Sequence, residues 1–405
     1  MSKILFVIHY PYIKFFESIG SSSGGWHYKD YVSLSKSFKV SVLFVDETFS
    51  NICSSFTSIG TEGMFHLKLG MSIENVRTDL INCFSYHDIV DFKGIEFRRN
   101  RDLITLVPGS SKTICSLQGI APEISRCYLG DIKPELRKYW TFRRVVFKGT
   151  LAGNKRMMKR GKTAKNLVNL AHTFIGRTDY DENWLKDIRD EISYHRVTRI
   201  PDEEFFKLQW SRNWLQPEKF CMTQGHYPLK GVHVVIEGLA LYAKSRSTCV
   251  ELNIAGRPRS NSWLDFKCTE YDLYLRKLER ENQMYVQVNW IGWKNREELK
   301  SLYLSSDVYI QGSFEENSSN SLLEAQSIGM PVVAANNAGN RSYIIKSNSS
   351  LLYKYNSPRS LAESLGSLVC DKNTLKLNSN RLKKRQLKTG SSEYVQQVYQ
   401  DILNG

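Results

Sequence analysis

The sequence predicts two doubly wound α/β domains, each built on a parallel sheet with helices on both faces. Short apolar runs with the character of buried strands alternate with helical segments in both halves of the chain. The length of 405 residues exceeds what one ordinary core organises and suits two domains. Hydrophobic residues make up 41% and charged residues 24% of the chain, which is typical of a folded globular protein.

The first half begins with a strand, a glycine-rich loop and a helix. Residues 20–25 read Gly-Ser-Ser-Ser-Gly-Gly and form the predicted loop, and residues 26–36 form the predicted helix. The predicted strands of this half are residues 4–8, 40–45, 104–107 and 112–117. Residues 200–217 lie between the two α/β patterns, and we expect the domain linker there.

The second half repeats the alternation with clearer boundaries. Its predicted strands are residues 220–223, 250–255, 285–288, 308–311 and 332–335. Its predicted helices are residues 231–244, 297–305 and 322–328. Near the end of the chain, apolar residues fall on one stripe of a predicted helix over residues 391–403, and that stripe must pack against another surface.

The net charge of +15 indicates an anionic partner: nucleic acid, anionic lipid or a phosphorylated substrate. The charge is concentrated in residues 137–165, which begin with Arg137, end with Lys165 and hold eleven Lys or Arg but no Asp or Glu. Trp140 and Phe147 lie among them. Basic and aromatic residues together favour attachment to an anionic membrane surface. The alternatives are a solvated basic face and nucleic acid, and no nucleic-acid-binding motif supports the latter.

Cysteine usage and hydropathy predict a cytoplasmic protein. The eight cysteines show no C-x2-C spacing, so we expect buried small residues in a reducing compartment rather than a zinc site. No segment reaches the ~18 uninterrupted apolar residues that a transmembrane helix needs. The first apolar run, residues 4–8, is too short for the core of a signal peptide.

Residues 313–335 carry the strongest functional pattern. Glu316 and Glu324 are eight positions apart, and the small polar residues 317–321 between them lead into a predicted helix. The unpaired N–H groups at a helix start suit a phosphate. A carboxylate just before the helix can hold sugar hydroxyls, and one two turns into it can reach a ribose diol. Alternatively, Ser319 or Asn320 only caps the helix and Glu324 is solvated, and spacing alone supports both interpretations equally.

The pattern resembles the Glu-x7-Glu motif of glycosyltransferase family 4, a large group of retaining enzymes with the GT-B fold. Four further segments resemble the family's Lys-Gly helix start, glycine turn, glycine-helix-strand stretch and Gly-x-Pro-Val-Val-Ala segment, and they are residues 227–242, 252–258, 288–313 and 329–340. The resemblance covers nearly all of residues 220–345. In the first half, residues 116–120 and 174–181 resemble segments of bacterial members that build surface polysaccharides.

The resemblance implies a donor pocket in the second domain. Glu316 should contact hydroxyls of the donor sugar, and Glu324 should bind the ribose. Lys230 should neutralise the diphosphate as it leaves, so that Glu316 and Lys230 are the expected catalytic residues. Gln118 and Arg177 are expected on the acceptor side. The other expected donor-binding residues are Gly24, Gly25, His226, Gly256, Arg257, Ile291, Gly292, Ser318, Ser319, Asn320 and Ser321.

Two positions depart from the family pattern. Residues 224–226 read Gln-Gly-His where the family usually has an arginine a few residues before the Lys-Gly pair. Diphosphate binding should therefore rely on Lys230, with His226 or Arg257. Gln118 stands where many members present a histidine, and an amide cannot act as a base. The front-face mechanism proposed for the family needs no such base, because the leaving phosphate can accept the acceptor's proton.

Asp179-Tyr180-Asp181 resembles the Asp-x-Asp metal motif of other glycosyltransferases. It follows Arg177 in the first domain, whereas the expected donor site lies mainly in the second. A structural Arg–Asp pair is therefore favoured over a metal site. We expect activity without a metal and without a cofactor other than the nucleotide-sugar co-substrate.

As a whole, the resemblance implies a GT-B fold in which two domains face a cleft. Residues 1–205 should bind the acceptor, residues 206–385 the nucleotide-sugar, and helix 386–405 should return to the first domain. The implied function is that of a retaining hexosyltransferase acting on a glycan or lipid-linked acceptor in bacterial O-antigen (lipopolysaccharide), capsule or exopolysaccharide biosynthesis. It would work as a peripheral protein at the inner face of the cytoplasmic membrane. The alternatives on the same fold are a sugar-nucleotide epimerase and a non-catalytic membrane- or nucleic-acid-binding adaptor.

Overall fold

The computed structural model describes residues 1–9, 25–46, 53–59, 62–94, 97, 99–117, 119–140, 149–223, 227–257 and 268–405. Within these residues the chain forms two compact units, each with its own sheet. The first unit comprises residues 1–120, 160–198 and 387–405, and the second comprises residues 121–159 and 199–386. Each unit alternates strands with helices, which confirms the predicted α/β class.

The described part of the first unit contains an eight-stranded sheet in the order β3-β4-β2-β1-β5-β6-β7-β8. Only β3 and β4 pair antiparallel within it. Alternate residues of β1 serve opposite faces, so that Leu5 and Val7 join one buried cluster while Phe6 joins another. This is why the strand reads as a continuous apolar run. The strands are β1 (Lys3–Ile8), β2 (Lys39–Asp46), β3 (Ser55–Ser58), β4 (Met64–Lys68), β5 (Ile89–Lys93), β6 (Lys112–Ser116), β7 (Thr173–Gly176) and β8 (Ser193–Arg196).

The described part of the second unit contains a six-stranded sheet in the order β11-β10-β9-β12-β13-β14, and every neighbouring pair is parallel. Its apolar strands are buried between two clusters, one of which contains Phe220 and Ile254 and the other Cys221 and Ala255. The strands are β9 (Lys219–Thr223), β10 (Val250–Ala255), β11 (Val286–Gly292), β12 (Val308–Gln311), β13 (Val332–Ala335) and β14 (Ser350–Tyr353).

Helices cover both sheets. In chain order among the described residues they are α1 (Gly25–Leu34), α2 (Arg77–Ser85), α3 (Asn100–Ile104), α4 (Ala121–Cys127), α5 (Lys133–Arg137), α6 (Thr150–Val168), α7 (Asp179–Lys186), α8 (Glu203–Lys207), α9 (Val232–Ser245), α10 (Glu270–Asn282), α11 (Arg296–Ser305), α12 (Asn320–Ser327), α13 (Ala338–Tyr343), α14 (Pro358–Ser367), α15 (Lys372–Gly390) and α16 (Ser392–Asn404). Two short 3-10 helices, Glu74–Val76 and Pro228–Lys230, complete the described elements.

One predicted strand is wrong. Residues 104–107 are the end of α3 and the turn that follows it. Leu103 and Ile104 are buried residues of the helix, and Leu106 is a buried residue of the turn. A run of four residues is too short for its periodicity to separate a strand from a helix end. The other predicted strands and helices agree with the structure to within a few residues.

Residues 121–140 and 149–159 pack in the second unit although they precede the predicted domain boundary at residue 205. Ile132 enters the second unit's largest buried cluster. The carbonyl oxygen of Gly130 lies 3.2 Å from Nε2 of His233 on α9. The compact units therefore differ from the predicted domains in this segment, because the chain leaves the first unit and returns to it, which a single linear boundary does not represent.

A buried charged cluster holds α16 in the first unit. The Nζ of Lys93, the last residue of β5, lies 2.6 Å from Oδ2 of Asp91 and 3.5 Å from Oδ2 of Asp30 on α1. It donates to the Tyr399 hydroxyl at 3.1 Å, and that hydroxyl donates to Asp91. Burial, with the Asp91 charge beside it, raises the pKa of Tyr399, so the phenol stays a donor. The cluster joins β5, α1 and α16.

Candidate active site

Polar and glycine residues gather at the carboxyl ends of the second sheet's strands. Thr223 ends β9, Gly292 ends β11, Gln311 ends β12, and Gly256 follows the last residue of β10. Since the strands are parallel, these ends meet at one edge of the sheet. That edge is where ligands bind in open α/β sheets.

The turns after β10 and β11 lie side by side, because the Gly256 N–H donates to the Gly292 carbonyl at 2.8 Å. The φ angles of these two residues are +133° and +74°, a region where any other side chain is strained. Ile291 and Arg257 are half-buried next to the glycines. The structure therefore brings together four of the expected donor-binding residues, Gly256, Arg257, Ile291 and Gly292.

The Lys-Gly pair brings a cation to this edge. Residues 228–230 form a single 3-10 turn, and Gly231 follows with φ +68°. A Cβ on Gly231 would lie 2.1 Å from the carbonyl oxygen of Gly312, so only glycine allows the two backbones to approach. The approach places the Lys230 Nζ 2.9 Å from Oε2 of Glu316. The side chains are 14% and 18% exposed, so this is a largely buried ion pair.

The ion pair keeps Lys230 charged. Burial disfavours the ammonium and by itself would lower its pKa. The Glu316 carboxylate and the Tyr227 hydroxyl more than offset this, and the pKa of Lys230 stands above its usual value. The Lys230 ammonium thus stays charged at the sheet edge. Beside it, the Glu316 carboxylate can also accept hydrogen bonds from hydroxyl groups.

The backbone around Glu316 is fixed from α13. A Cβ on Gly339 would lie 1.8 Å from the Glu316 carbonyl oxygen, so α13 rests directly on that peptide. Asn337, the residue before α13, donates to the Ser313 carbonyl at 2.8 Å and accepts from the Asn340 N–H at 2.8 Å. Gly339, which follows the Gly-x-Pro-Val-Val-Ala segment, therefore allows α13 to pack against the backbone that carries Glu316.

The start of α12 combines a cap with unsatisfied polar atoms. The Ser319 side chain accepts from the Leu322 N–H at 3.3 Å, so Ser319 caps the helix. The Ser318 Oγ is buried without a hydrogen-bond partner among the described residues. Ser321 Oγ accepts from Thr223 Oγ1 at 2.7 Å, which ties the first turn of α12 to the end of β9.

Glu324 is half-buried rather than simply solvated. Its Oε2 accepts a hydrogen bond from the Tyr303 hydroxyl at 3.0 Å, and Tyr303 is fully buried on α11. Glu324 is therefore partly accessible to solvent and hydrogen-bonded to a buried side chain, and Ser319 caps the helix as the alternative interpretation expects.

Three residues near the site were not singled out from the sequence. Arg199 donates to the side-chain oxygen of Asn320, the first residue of α12. Gln311 Nε2 donates to Oε2 of Glu316 at 3.3 Å. Tyr303 is the third. Their contacts join separate elements, and no spacing in the sequence marks them.

Three expected site residues, Gly24, Gln118 and His226, lie outside the described residues. Gly25 begins α1 in the first unit. Arg177 follows β7 and is only 6% exposed. Its Nη1 donates to the Val197 carbonyl at 2.8 Å, so the guanidinium supports the end of β8. Its expected role on the acceptor side stays a prediction.

The Asp179-Tyr180-Asp181 carboxylates are held by structural contacts. Asp181 is fully buried and forms a capping box with Thr178 at the start of α7. Its Oδ2 accepts from the Arg177 N–H at 2.8 Å. Asp179 forms an ion pair with Arg196. These contacts favour the structural Arg–Asp interpretation, with Arg196 rather than the Arg177 guanidinium as the partner.

Most of the described part of the basic segment lies on α6. The face of this helix that packs inward carries small and apolar residues, among them Ala152, Gly161 and Ala164. The opposite face is basic, and its exposed residues are Lys155, Arg156, Lys159, Arg160, Lys162 and Lys165. Among the described residues, none of the helices combines the length and the hydropathy that crossing a bilayer requires.

The part of the chain that matches a known protein family lies in the second unit. Residues 206–386 match the model of the family described as Glycosyl transferases group 1. The match extends over somewhat less than half of the chain, and over these residues the chain is similar to that family of glycosyltransferases. The matched segment contains Lys230, Glu316 and Glu324.

A curated relative supports the same assignment over part of the chain. D-inositol 3-phosphate glycosyltransferase of Corynebacterium urealyticum is 31% identical to this chain over 144 residues. The match covers 35% of this chain and 32% of the relative. The chain thus spans about a third of the length of the curated relative it matches.

Solved structures are similar over essentially the whole chain. Sucrose-phosphate synthase from Thermosynechococcus elongatus has a TM-score of 0.64 with 11% identity and 100% coverage of both chains. HepE of Anabaena in complex with UDP has a TM-score of 0.58 with 13% identity and 100% coverage of both. A trehalose-6-phosphate protein of E. coli bound with UDP-2-fluoro glucose has a TM-score of 0.63 with 10% identity and 99% coverage of both. These similarities show the fold, which is GT-B.

Proposed function

We propose that the chain is a retaining glycosyltransferase of family 4 that moves a sugar from a nucleotide-sugar to an acceptor. The observation that carries the proposal is the buried Lys230–Glu316 pair, 2.9 Å apart, at the sheet edge of the segment that matches the group 1 family. Glu324 lies two turns beyond it in α12. Binding of a nucleoside diphosphate-sugar needs three features: a cation, a carboxylate that accepts hydrogen bonds from sugar hydroxyls, and a helix start.

Each side chain has one task in the proposed reaction. Lys230 holds positive charge where negative charge grows on the departing diphosphate, and the N–H groups at the start of α12 add to it. Glu316 accepts hydrogen bonds from hydroxyls of the sugar and fixes its orientation. Glu324 accepts from the ribose diol. The departing phosphate takes the proton of the acceptor hydroxyl on the same face, so the anomeric configuration is kept.

The donor class is supported by relatives of the same fold. HepE of Anabaena was solved with UDP, with UDP and glucose, and with UDP-glucose. The curated relative carries the name of a glycosyltransferase acting on an inositol phosphate. From the ligands of HepE and the name of the curated relative, we infer that the donor of this chain is a nucleotide-sugar. Activity should need no metal and no further cofactor, because Lys230 and the helix start supply the positive charge.

The acceptor is proposed to be a glycan or lipid-linked glycan of a bacterial O-antigen, capsule or exopolysaccharide. Such an acceptor lies at the inner face of the cytoplasmic membrane, and the basic face of α6 supports attachment there. Each Lys or Arg near an anionic bilayer contributes about 1 kcal/mol, so even four or five of them give roughly 4–5 kcal/mol.

The experiment for the reaction is a donor screen followed by product analysis. Thermal shifts with UDP-, GDP-, ADP- and CMP-sugars identify the donor, because a ligand that binds the native state raises its stability. NMR of the product formed from an α-linked donor should show an α linkage, also in excess EDTA. A β-linked product, or activity that EDTA abolishes and Mn²⁺ or Mg²⁺ restores, would contradict the assignment.

Membrane attachment has its own test with a matched control. Six basic residues of α6 are changed to Ser: Lys155, Arg156, Lys159, Arg160, Lys162 and Lys165. The control variant removes the same charge from α15: Lys372, Lys376, Arg381, Lys383, Lys384 and Lys388. Vesicles containing anionic lipid should sediment the wild type and the control but not the α6 variant, and high salt should release both. Equal sedimentation of the two variants would mean that the basic face of α6 is only solvated. Binding of the wild type to nucleic acid but not to vesicles would mean that nucleic acid is the partner.

A further inference from the structure

The two carboxylates of the site are each held by a buried tyrosine that lies outside the Glu-x7-Glu motif. Tyr303 on α11 donates directly to Glu324 Oε2 at 3.0 Å. Tyr309 on β12 donates to Oε1 of Gln311 at 2.8 Å. Gln311 in turn donates from Nε2 to Glu316 Oε2 at 3.3 Å. Two separate hydrogen-bond paths thus end on two separate carboxylates.

The Tyr303 hydroxyl is fixed in place as a donor. The ring is fully buried, with Tyr309 edge-on at a centroid distance of 5.8 Å and Phe205 at 6.2 Å. Burial raises the pKa of Tyr303 well above its usual value, and the Glu324 charge raises it further, so the phenol remains protonated. A carboxylate offers about four acceptor positions, so one bond from Tyr303 sets its plane while others can take a ribose diol.

The Tyr309 hydroxyl fixes the direction of an amide. Gln311 has one accepting and one donating end, and only the donating end can face a carboxylate. Because Tyr309 donates to Oε1, Nε2 is turned toward Glu316 and toward Ser313 Oγ, which it reaches at 3.3 Å. Both Tyr309 and Gln311 are buried, and burial raises the pKa of Tyr309, so this arrangement persists across the working pH range.

We propose that Tyr303 and the Tyr309–Gln311 pair are positioning residues with separate tasks: Tyr303 sets the ribose carboxylate Glu324, and Tyr309 with Gln311 sets the sugar carboxylate Glu316. The proposal rests on the function proposed above. Ribose contacts are made equally in the ground state and the transition state, so Tyr303 acts on donor binding. Sugar contacts change as the glycosidic bond breaks, so Tyr309 and Gln311 act on turnover.

The chain offers a matched set of variants. Tyr303→Phe and Tyr309→Phe each remove one buried hydroxyl, and Gln311→Met removes the amide at nearly constant volume. Tyr353→Phe is the control, because Tyr353 is 1% exposed and its hydroxyl is buried without a hydrogen-bond partner among the described residues. Melting temperature and circular dichroism establish that each variant is folded before its kinetics are compared.

The expected result is a split between two measured quantities. Tyr303→Phe should raise the donor KM and the calorimetric Kd for the free nucleoside diphosphate by about 3–10-fold, the scale of one hydrogen bond, and leave kcat near the wild-type value. Tyr309→Phe and Gln311→Met should lower kcat by about 3–10-fold and leave the nucleotide Kd in place. Tyr353→Phe should change neither quantity.

The outcomes separate this inference from the proposed function. If the wild type binds nucleotide and transfers sugar but the two tyrosine variants change the same quantity, or match Tyr353→Phe, the separate positioning roles are wrong and the function stands. If the wild type binds no nucleoside diphosphate and transfers no sugar in the donor screen, the proposed function and the inference that rests on it are both overturned.

Discussion

At the scale of single residues, the central feature is that Lys230 and Glu316 neutralise each other in a largely buried pair. Removing either partner leaves the other charge without compensation and, in the proposed reaction, removes one contact to the transition state. We expect Lys230→Ala and Glu316→Ala each to lower kcat by about 10²–10³-fold. Glu324→Ala should chiefly raise the donor KM.

Initial rates on variants shown to be folded measure these effects. Lys300→Ala serves as the control, because Lys300 is similarly buried at 11% exposure but pairs with Glu204 and Glu297 outside the motif. It should lower the melting temperature without a comparable loss of kcat. Near-normal kinetics for all three site variants would show that the site is misplaced.

Gly339 is a second residue whose effect follows from geometry alone. A Cβ there would overlap the Glu316 carbonyl oxygen at 1.8 Å, so Gly339→Ala must push the peptide away. A displacement near 1 Å at a catalytic group costs about 10²-fold in rate. Gly366→Ala in α14 is the matched control, since the nearest atom to its Cβ is Arg246 Nη2 at 3.8 Å.

We expect Gly339→Ala to lower kcat by about 10²-fold and Gly366→Ala to keep it, with unchanged or slightly higher stability from the better helix former. Rates and melting curves of the two proteins measure both quantities. Equal kcat values for the two variants would mean that α13 does not control the position of Glu316.

At the scale of elements, α9 is joined to residues 121–159 through a histidine. His233 is 2% exposed, and its Nδ1 lies 3.0 Å from the Tyr271 hydroxyl. Burial lowers the pKa of His233 to about 4, against only one opposing contribution, from the Gly130 carbonyl. The unfolded chain protonates histidine near pH 6.5. Protons therefore bind the unfolded state preferentially between these two pH values, and they destabilise the fold.

The stability contributed by neutral His233 should be fully present above about pH 6.5 and lost as the pH falls toward about 4. Melting temperatures measured across this window should fall more steeply for the wild type than for His233→Gln, which does not titrate. His172→Gln, at an exposed position, should keep the wild-type slope. Parallel slopes for the wild type and His233→Gln would contradict the prediction.

The elements themselves were largely predictable from the sequence, because buried strands and amphipathic helices are local patterns. The strand over residues 308–311 and the helix over residues 231–244 appear where the apolar periodicity indicates. The short run at residues 104–107 failed because four residues carry too little periodicity. The described residues between 121 and 159 lie in the second compact unit, before the predicted domain boundary, and nothing local in the sequence records which core a short helix joins.

The site was predictable only as far as its motif extends. Glu316, Glu324 and Lys230 were found because their spacing and flanks are fixed along the chain, and their roles stay predictions. Tyr303 and Gln311 escaped notice because their importance depends on contacts across neighbouring elements. Tyr303 lies 21 positions before Glu324 and reaches it only after α11 folds beside α12.

At the scale of the whole molecule, the cluster around Lys93 joins distant parts of the first unit. The Lys93 side chain is 2% exposed and the Asp91 side chain is fully buried, so removing the cation leaves a buried carboxylate unpaired. We expect Lys93→Met to cost about 3–5 kcal/mol in the free energy of unfolding of this unit. Denaturant titration followed by hydrogen exchange on β5 and α16 measures it.

Lys39→Met is the control for that loss, because Lys39 pairs with Glu62 at the surface, where the two side chains are 44% and 85% exposed. Water screens a pair this exposed, so this variant should stay near the wild type. A similar small cost for both variants would show that the Lys93 cluster does not hold α16.

The same cluster constrains the order in which the protein becomes native. Tyr399 follows Lys93 by 306 positions, so a ribosome releases the second unit's segments before it releases the residue that completes the first. Closing so long a loop is entropically costly, and contacts of this separation form slowly. The first unit therefore cannot complete this cluster until residues 387–405 have been synthesised, after every residue of the second unit. The unit whose chain begins first is thus the last to have all of its residues.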